Sequence, residues 1–156
     1  DSRNILAITS VAYIFIAVVL YFADKLEDGN KNILDLTLRE SLIIGLAQAL
    51  ALFPGVSRSG ITLSTALYLK LKKTEAIFFS LLLGLPTIFG AWFLTFIQSS
   101  EPISNSLLLP SIAAFLSGLV AIRVLINFTV SSKLNVFSIY CFAMGIVSIG
   151  TYLVNL

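Results

Sequence analysis

Pro54-Gly55-Val56-Ser57-Arg58-Ser59-Gly60-Ile61-Thr62 decides how the rest of this chain is read. It is a polar stretch set inside an apolar region. Ser41 to Phe53 precedes it, with Gln48 as the one strongly polar interior residue, and the mostly apolar Ile61 to Leu69 follows. Each flank is short. Thirteen residues of helix rise roughly 20 Å and nine roughly 14 Å, whereas a bilayer core needs about 30 Å. The spacing predicts a helix-loop-helix hairpin over residues 41–69 that enters a membrane and returns to the same side, with Arg58 near its tip. Two other arrangements use the same residues. One is an ordinary polar turn between two membrane helices with Arg58 at the headgroups; the other is a single kinked helix from Ser41 to Leu69.

The chemistry of the tip suits a phosphate. Pro54 removes an N–H and Gly55 admits positive φ, so the first arm ends there, and Gly60 is expected to act as a second flexible point. Ser57, Ser59 and Thr62 bring three hydroxyls to the start of the second arm, where free N–H groups and the positive end of the helix dipole also point. Thr62, three residues past Ser59, can share its face. Arg58 adds a planar fork that holds two phosphate oxygens at once. A charge at membrane depth is costly, so a function is its default reading.

Working outward, apolar residues make up 58% of the chain and charged residues 12%, a balance that excludes an ordinary soluble domain. Four stretches are long enough to span: Ile5 to Ala23, Ala76 to Ile97, Leu107 to Val130 and Val136 to Val154. Ser80 and Gly84, and Ala114 and Gly118, are small pairs at four-residue spacing suited to close helix contact. Pro86 and Gly90 predict a kink. Asp24 to Glu40 reads as a solvated loop of mixed charge with a short amphipathic piece around Ile33, Leu34, Leu36 and Leu38. The net charge of +2 comes from scattered basic residues and leaves no nucleic-acid footprint. Cys141 stands alone and there is no histidine, which excludes a disulfide framework and a Cys/His metal centre; no metal ligand is assigned.

Charge distribution favours the hairpin. If residues 41–69 return to the side they entered, the loops at 24–40, 70–75 and 129–134 gather Lys25, Lys31, Arg39, Lys70, Lys72, Lys73 and Lys133 on one side and leave Arg3 on the other. The positive-inside rule makes that side cytoplasmic. Broken helices meeting at mid-membrane are a feature of inverted-repeat folds. The fold class expected is therefore an all-α integral membrane protein, a single membrane domain over residues 1–156 with four transmembrane helices plus one re-entrant hairpin.

Gly45 to Gly90, and above all the Pro-Gly-x-Ser-Arg-Ser-Gly-x-Thr motif at 54–62, closely resembles the bacterial undecaprenyl-diphosphate phosphatase family, the bacitracin-resistance phosphatases. Phe78-Phe79-Ser80-Leu81-Leu82-Leu83-Gly84-Leu85-Pro86 is similar to that family's following helix. The resemblance covers the chain only as the family's C-terminal half, one half of an inverted repeat. The family's N-terminal half carries a Glu-rich helix and a Pro-x-Ser-Ser-x-Gly-His loop, and nothing before Ile5 supplies them, so either a C-terminal fragment, with which the lack of an initiating Met agrees, or a shortened homologue that needs a partner or is inactive is expected.

The resemblance implies hydrolysis of undecaprenyl diphosphate to undecaprenyl phosphate at the outer face of a bacterial inner membrane, which recycles the cell-wall lipid carrier. Arg58, Ser57 and Thr62 are then expected in catalysis, and Gly55, Ser59, Gly60 and Gln48 in substrate binding. A divalent cation (Mg or Ca) is implied, with ligands outside this chain. The expected partners are the polyprenyl diphosphate lipid, the membrane, and the missing half or a second chain. Two alternatives stand beside this: a polyprenyl-phosphate flippase or transporter module, and a non-catalytic half that binds a lipid phosphate.

Overall fold

Four helices in the structure, a computed structural model, are long and apolar enough to cross a membrane. The structure describes residues 2–98, 107–131 and 133–154. The long helices are α1 (Ser2–Asp24), α4 (Lys73–Gln98), α5 (Leu108–Val130) and α6 (Leu134–Val154). Between α1 and α4 lie two short ones, α2 (Leu38–Ala49) and α3 (Arg58–Tyr68). All four expected spans are present, extended by a few residues at most. The chain is a multi-pass α-helical membrane protein. The expected polar loop after Ile97, with Glu101-Pro102, lies outside the described residues from position 99 onward, and so does Ser132 of the turn before α6.

α2 and α3 differ from the expected arms at both ends. α2 begins at Leu38 because Thr37 and Glu40 form a reciprocal capping box: the Thr37 hydroxyl accepts from the Glu40 N–H at 3.2 Å, and the Glu40 carboxylate accepts from the Thr37 N–H at 3.0 Å. It ends at Ala49, and a 3₁₀ turn at Leu50–Leu52 finishes the arm ahead of Pro54. α3 begins at Arg58, three residues before the expected Ile61, because Ser57 caps it. At twelve and eleven residues the two helices rise about 18 and 17 Å, so neither crosses a bilayer alone.

α3 is the innermost element. Gly60, Ile61, Thr62, Leu63, Ser64, Ala66 and Leu67 are all buried. One side of it joins a core with Ala23, Ile44, Leu71, Ala76, Ile77 and Leu134. The other packs with Ile16, Ala17, Leu20 and Cys141 of α1 and α6. Those two long helices lie side by side, and the Ser138 hydroxyl donates to the Ala17 carbonyl at 2.6 Å and the Ser10 hydroxyl to Ser148 at 2.8 Å. Gly145 allows the close approach: a Cβ there would meet Ile14 at 2.9 Å. α5 contacts α4 and keeps most of its apolar surface exposed; Ala114 is exposed, and nothing lies within 4 Å of a Cβ at Gly118.

The entry and exit of the α2–α3 pair are tied together. The Lys31 N–H donates to the Lys70 carbonyl and the Lys72 N–H to the Lys31 carbonyl, each at 3.0 Å. α3 closes in a Schellman motif, with Lys70 N–H to Leu67 carbonyl at 2.9 Å, Leu71 N–H to Ala66 carbonyl at 3.1 Å, and Lys70 at φ 68°. The segment 24–40 is expected to be a solvated loop, but Asp24, Asp28, Asp35 and Glu40 cap backbone N–H groups. Asp24 accepts from the Leu134 N–H at 2.6 Å, Asp28 from the Lys73 N–H at 2.7 Å, and Asp35 from the Asn32 N–H at 2.8 Å. The first two bring carboxylates to the N-termini of α6 and α4, where the helix dipole favours them. Glu75 of α4 accepts from the Ile33 N–H at 3.0 Å. The three basic loops thus meet at one end of the molecule.

Candidate functional site

At the opposite end of the pair, the Phe53–Ser57 turn reaches into the bundle. Gly55, at φ 97°, presses on α1: a Cβ there would lie 2.8 Å from the Thr9 carbonyl and 3.1 Å from Ala12 Cβ. Only glycine fits both the angle and the space. Ala12 lies twelve residues from the Asp24 end of α1, a helical rise of about 18 Å. The tip therefore sits more than halfway along a helix of membrane-spanning length.

The start of α3 presents its polar groups on two sides. Ser57 accepts from the Gly60 N–H at 3.2 Å, and the Ile61 N–H bonds the Ser57 carbonyl at 2.9 Å. This leaves the N–H groups of Arg58 and Ser59 without intrahelical partners, at the positive end of the dipole. Gly60 is not the pivot expected from the sequence. It lies within the first helical turn, and its value is space: a Cβ would meet Ser57 Oγ at 3.0 Å. Gly55, Ser57, Ser59 and Gly60 line one wall of a cavity of about 420 Å³, and Tyr13 of α1 and Phe137, Tyr140 and Cys141 of α6 line the other. The Ser59 hydroxyl, which is exposed, makes no hydrogen bond to another described residue.

Arg58 is turned away from that cavity toward α4. Its Nη2 donates to the Leu83 carbonyl at 3.2 Å and its Nε to Gln48 Oε1 at 3.4 Å. Gln48 in turn donates from Nε2 to Thr87 Oγ1 at 3.1 Å. No carboxylate pairs with Arg58 among the described residues, and every partner it has is neutral.

Thr62 does not share the open face of Ser59. It is fully buried, its hydroxyl donates to the Arg58 carbonyl at 2.9 Å, and it shares a hydrogen bond with Ser80 of α4. The Ser80 hydroxyl also lies 3.3 Å from the Ser59 carbonyl. Thr62 and Ser80 thus fasten the first turn of α3 to α4. The small Ser80/Gly84 pair does make a close helix contact, but with the site helix itself. α4 runs unbroken through Pro86. The roles of Gly84 and Thr87 beside Arg58 were not read from the sequence. Their partners lie tens of residues away, and no local pattern announces them.

No group of three His, Cys, Asp or Glu is placed to hold a metal among the described residues. Among the described residues, Asp24, Asp28, Asp35, Glu40 and Glu75 cap backbone N–H groups at the far end, and Glu40 also pairs with Lys31.

A short capped helix, with two free N–H groups, the exposed Ser59 hydroxyl and an arginine with no acidic partner among the described residues, is set inside a multi-pass helical membrane protein. The chain belongs to the family of the bacitracin resistance protein BacA, whose family model matches residues 2–147. It is 40% identical over 148 residues to an undecaprenyl-diphosphatase of Thermosipho africanus, a match covering 95% of this chain and 58% of that protein. It is likewise 40% identical over 149 residues to an undecaprenyl-diphosphatase of Prochlorococcus marinus, covering 93% and 55%. An undecaprenyl-diphosphatase of Korarchaeum cryptofilum matches at 40% identity over 135 residues, covering 85% and 50%. The chain spans about half the length of the curated relatives it matches.

Proposed function

We propose that this chain forms the phosphate-binding half of an undecaprenyl-diphosphate phosphatase, working in a bacterial inner membrane with a second half that mirrors it. The observation that carries the reading is the depth of an unpaired charge. The entry and exit of α2–α3 are bonded together at the basic end, while the tip meets α1 about 18 Å away. That geometry supports a re-entrant hairpin entering from the cytoplasm, with Lys25, Lys31, Arg39, Lys70, Lys72, Lys73 and Lys133 on that side.

This chain's share of the reaction is binding and orientation. The N–H groups of Arg58 and Ser59 and the hydroxyls of Ser57 and Ser59 meet phosphate oxygens, and the guanidinium offsets charge that develops as the phosphoanhydride breaks. Thr62 holds α3 in place through Ser80. The described residues offer no ligand set for the divalent cation that the family resemblance implies, and the nucleophile is likewise assigned to the other half. The apolar wall of the 420 Å³ cavity gives the prenyl end of the substrate an apolar approach.

The test is Arg58→Ala in the complete natural polypeptide, reconstituted in proteoliposomes. Phosphate release from undecaprenyl diphosphate should fall by about 10²–10³-fold with insertion unchanged. Release near the unaltered level rejects the role. Lipid translocation without phosphate release would instead select the flippase alternative.

A further inference from the structure

We infer that residues 83–87 of α4 form a built seat for Arg58, engaging the Nε–Nη2 edge of its guanidinium and leaving the Nη1–Nη2 edge for an oxyanion. The seat is read from contacts alone; naming the oxyanion as phosphate rests on the function proposed above.

A guanidinium has two edges that can each grip a pair of oxygens. One joins Nε to the nearer Nη, and the other joins the two Nη atoms. Here the first edge is taken by the chain. Nη2 donates to the Leu83 carbonyl at 3.2 Å and Nε to Gln48 Oε1 at 3.4 Å. Nη1 makes no hydrogen bond among the described residues, and Nη2 keeps a second proton.

The seat has three working parts. Gly84 provides the floor: a Cβ there would lie 3.0 Å from Nη2, 3.7 Å from Cζ and 3.9 Å from Nη1, so the guanidinium occupies the space a side chain would fill. Leu83 provides the acceptor, and its carbonyl also accepts from the Thr87 hydroxyl at 3.3 Å. Thr87 fixes Gln48 through the 3.1 Å bond to its Nε2, which points the amide oxygen at Arg58. All the acceptors are neutral, so the arginine is held in place while its charge stays uncompensated. Gly84 and Thr87 are thus positioning residues for the anion site, acting through Arg58.

Two measurements on the complete natural polypeptide in nanodiscs test this. The first follows the Nε–Hε resonance of Arg58 by NMR with labelled arginine. Slow solvent exchange, and a displaced resonance in both Gly84→Ala and Gln48→Leu, are expected. Exchange typical of an exposed arginine, unmoved by either variant, overturns the seat whether or not any ligand binds. The second titrates inorganic pyrophosphate by calorimetry. Gly84→Ala and Arg58→Ala should each weaken binding about tenfold, and the double variant should bind no more weakly than Arg58→Ala alone. Fully additive losses overturn the link between Gly84 and the anion. A seat intact by NMR with no pyrophosphate binding in the unaltered protein leaves the seat standing and rejects the phosphate reading, so the two failures are distinct.

Discussion

Gly29→Ala should open the base of the α2–α3 pair. A Cβ at position 29 would fall 2.1 Å from the Lys70 carbonyl oxygen and 2.3 Å from that of Leu71. Both are backbone atoms, so no rotamer relieves the contact. Reaching even 3.0 Å requires one segment to retreat by about 1 Å, which is beyond what a packed contact absorbs. That retreat acts where Lys31 N–H meets the Lys70 carbonyl and Lys72 N–H meets the Lys31 carbonyl. Two net hydrogen bonds at about 1 kcal/mol each, plus the strain of any residual overlap, give a loss of about 2–4 kcal/mol. Gly45→Ala is the control, since nothing lies within 4 Å of its Cβ and alanine is the better helix former inside α2. Thermal unfolding in detergent reads the stability, and labelling of a Cys introduced at position 31 reads the opening of the base. Gly29→Ala should melt earlier and label faster than Gly45→Ala. Equal melting and equal labelling would refute the close pairing of the two segments.

The Lys31 ammonium and the Thr37 N–H and hydroxyl hold the Glu40 carboxyl down at a pKa of about 2, against an ordinary 4.5. A depressed carboxylate contributes stability above its unfolded pKa and loses it as pH falls through the folded one. Unfolding midpoints should therefore decline between about pH 4.5 and pH 2, and Glu40→Gln should remove that part of the decline. Lys70 occupies the left-handed region at φ 68° in a cap position that glycine favours. Lys70→Gly should raise stability by about 1 kcal/mol, measured by denaturant unfolding in mixed micelles. Thr62→Val and Ser80→Ala should each destabilise by about 1 kcal/mol, and the double variant by clearly less than their sum, because the two hydroxyls share one bond. Strict additivity in that cycle would deny the bond.

The four long helices could be read from the sequence because length and apolarity alone specify them, and α1 and α4 to α6 fall within a few residues of expectation. The boundaries of the short pair were harder. Thr37-Leu38-Arg39-Glu40 carries a capping-box signature, yet its charges invited a reading as solvated loop. Ser57 reads as a ligand group, yet its position, three residues before Gly60, also makes it a cap. The expectation that Thr62 shares the face of Ser59 follows from their spacing, but the Thr62 hydroxyl turns to the Arg58 carbonyl and to Ser80 of α4. Arg58, at the first position of α3, turns instead to the Leu83 carbonyl and Gln48. What no local pattern gives is the partner across the contact. Ser80, Gly84 and Thr87 acquire their meaning only when α4 is laid against α3.

Among the described residues no carboxylate lies beside Arg58, and α4 offers it neutral acceptors instead. A cation within a bilayer costs about 2.5–3.5 kcal/mol on insertion scales, and an acidic partner is the commonest way to offset it. Such a partner would also occupy the charge that an incoming phosphate needs, and the ligand would have to displace it. Neutral acceptors resolve the conflict. The Leu83 carbonyl and Gln48 replace part of the hydration lost by the guanidinium, with charge-assisted hydrogen bonds worth about 1.5–3 kcal/mol each at good geometry. They return no negative charge. On the function proposed above, the electrostatic deficit that remains is met by the ligand, so the free energy of relieving it appears as affinity for an anion. A carboxylate placed at position 48 or 87 should stabilise the empty protein and weaken its hold on phosphate together, an opposition that a purely structural arginine would not produce.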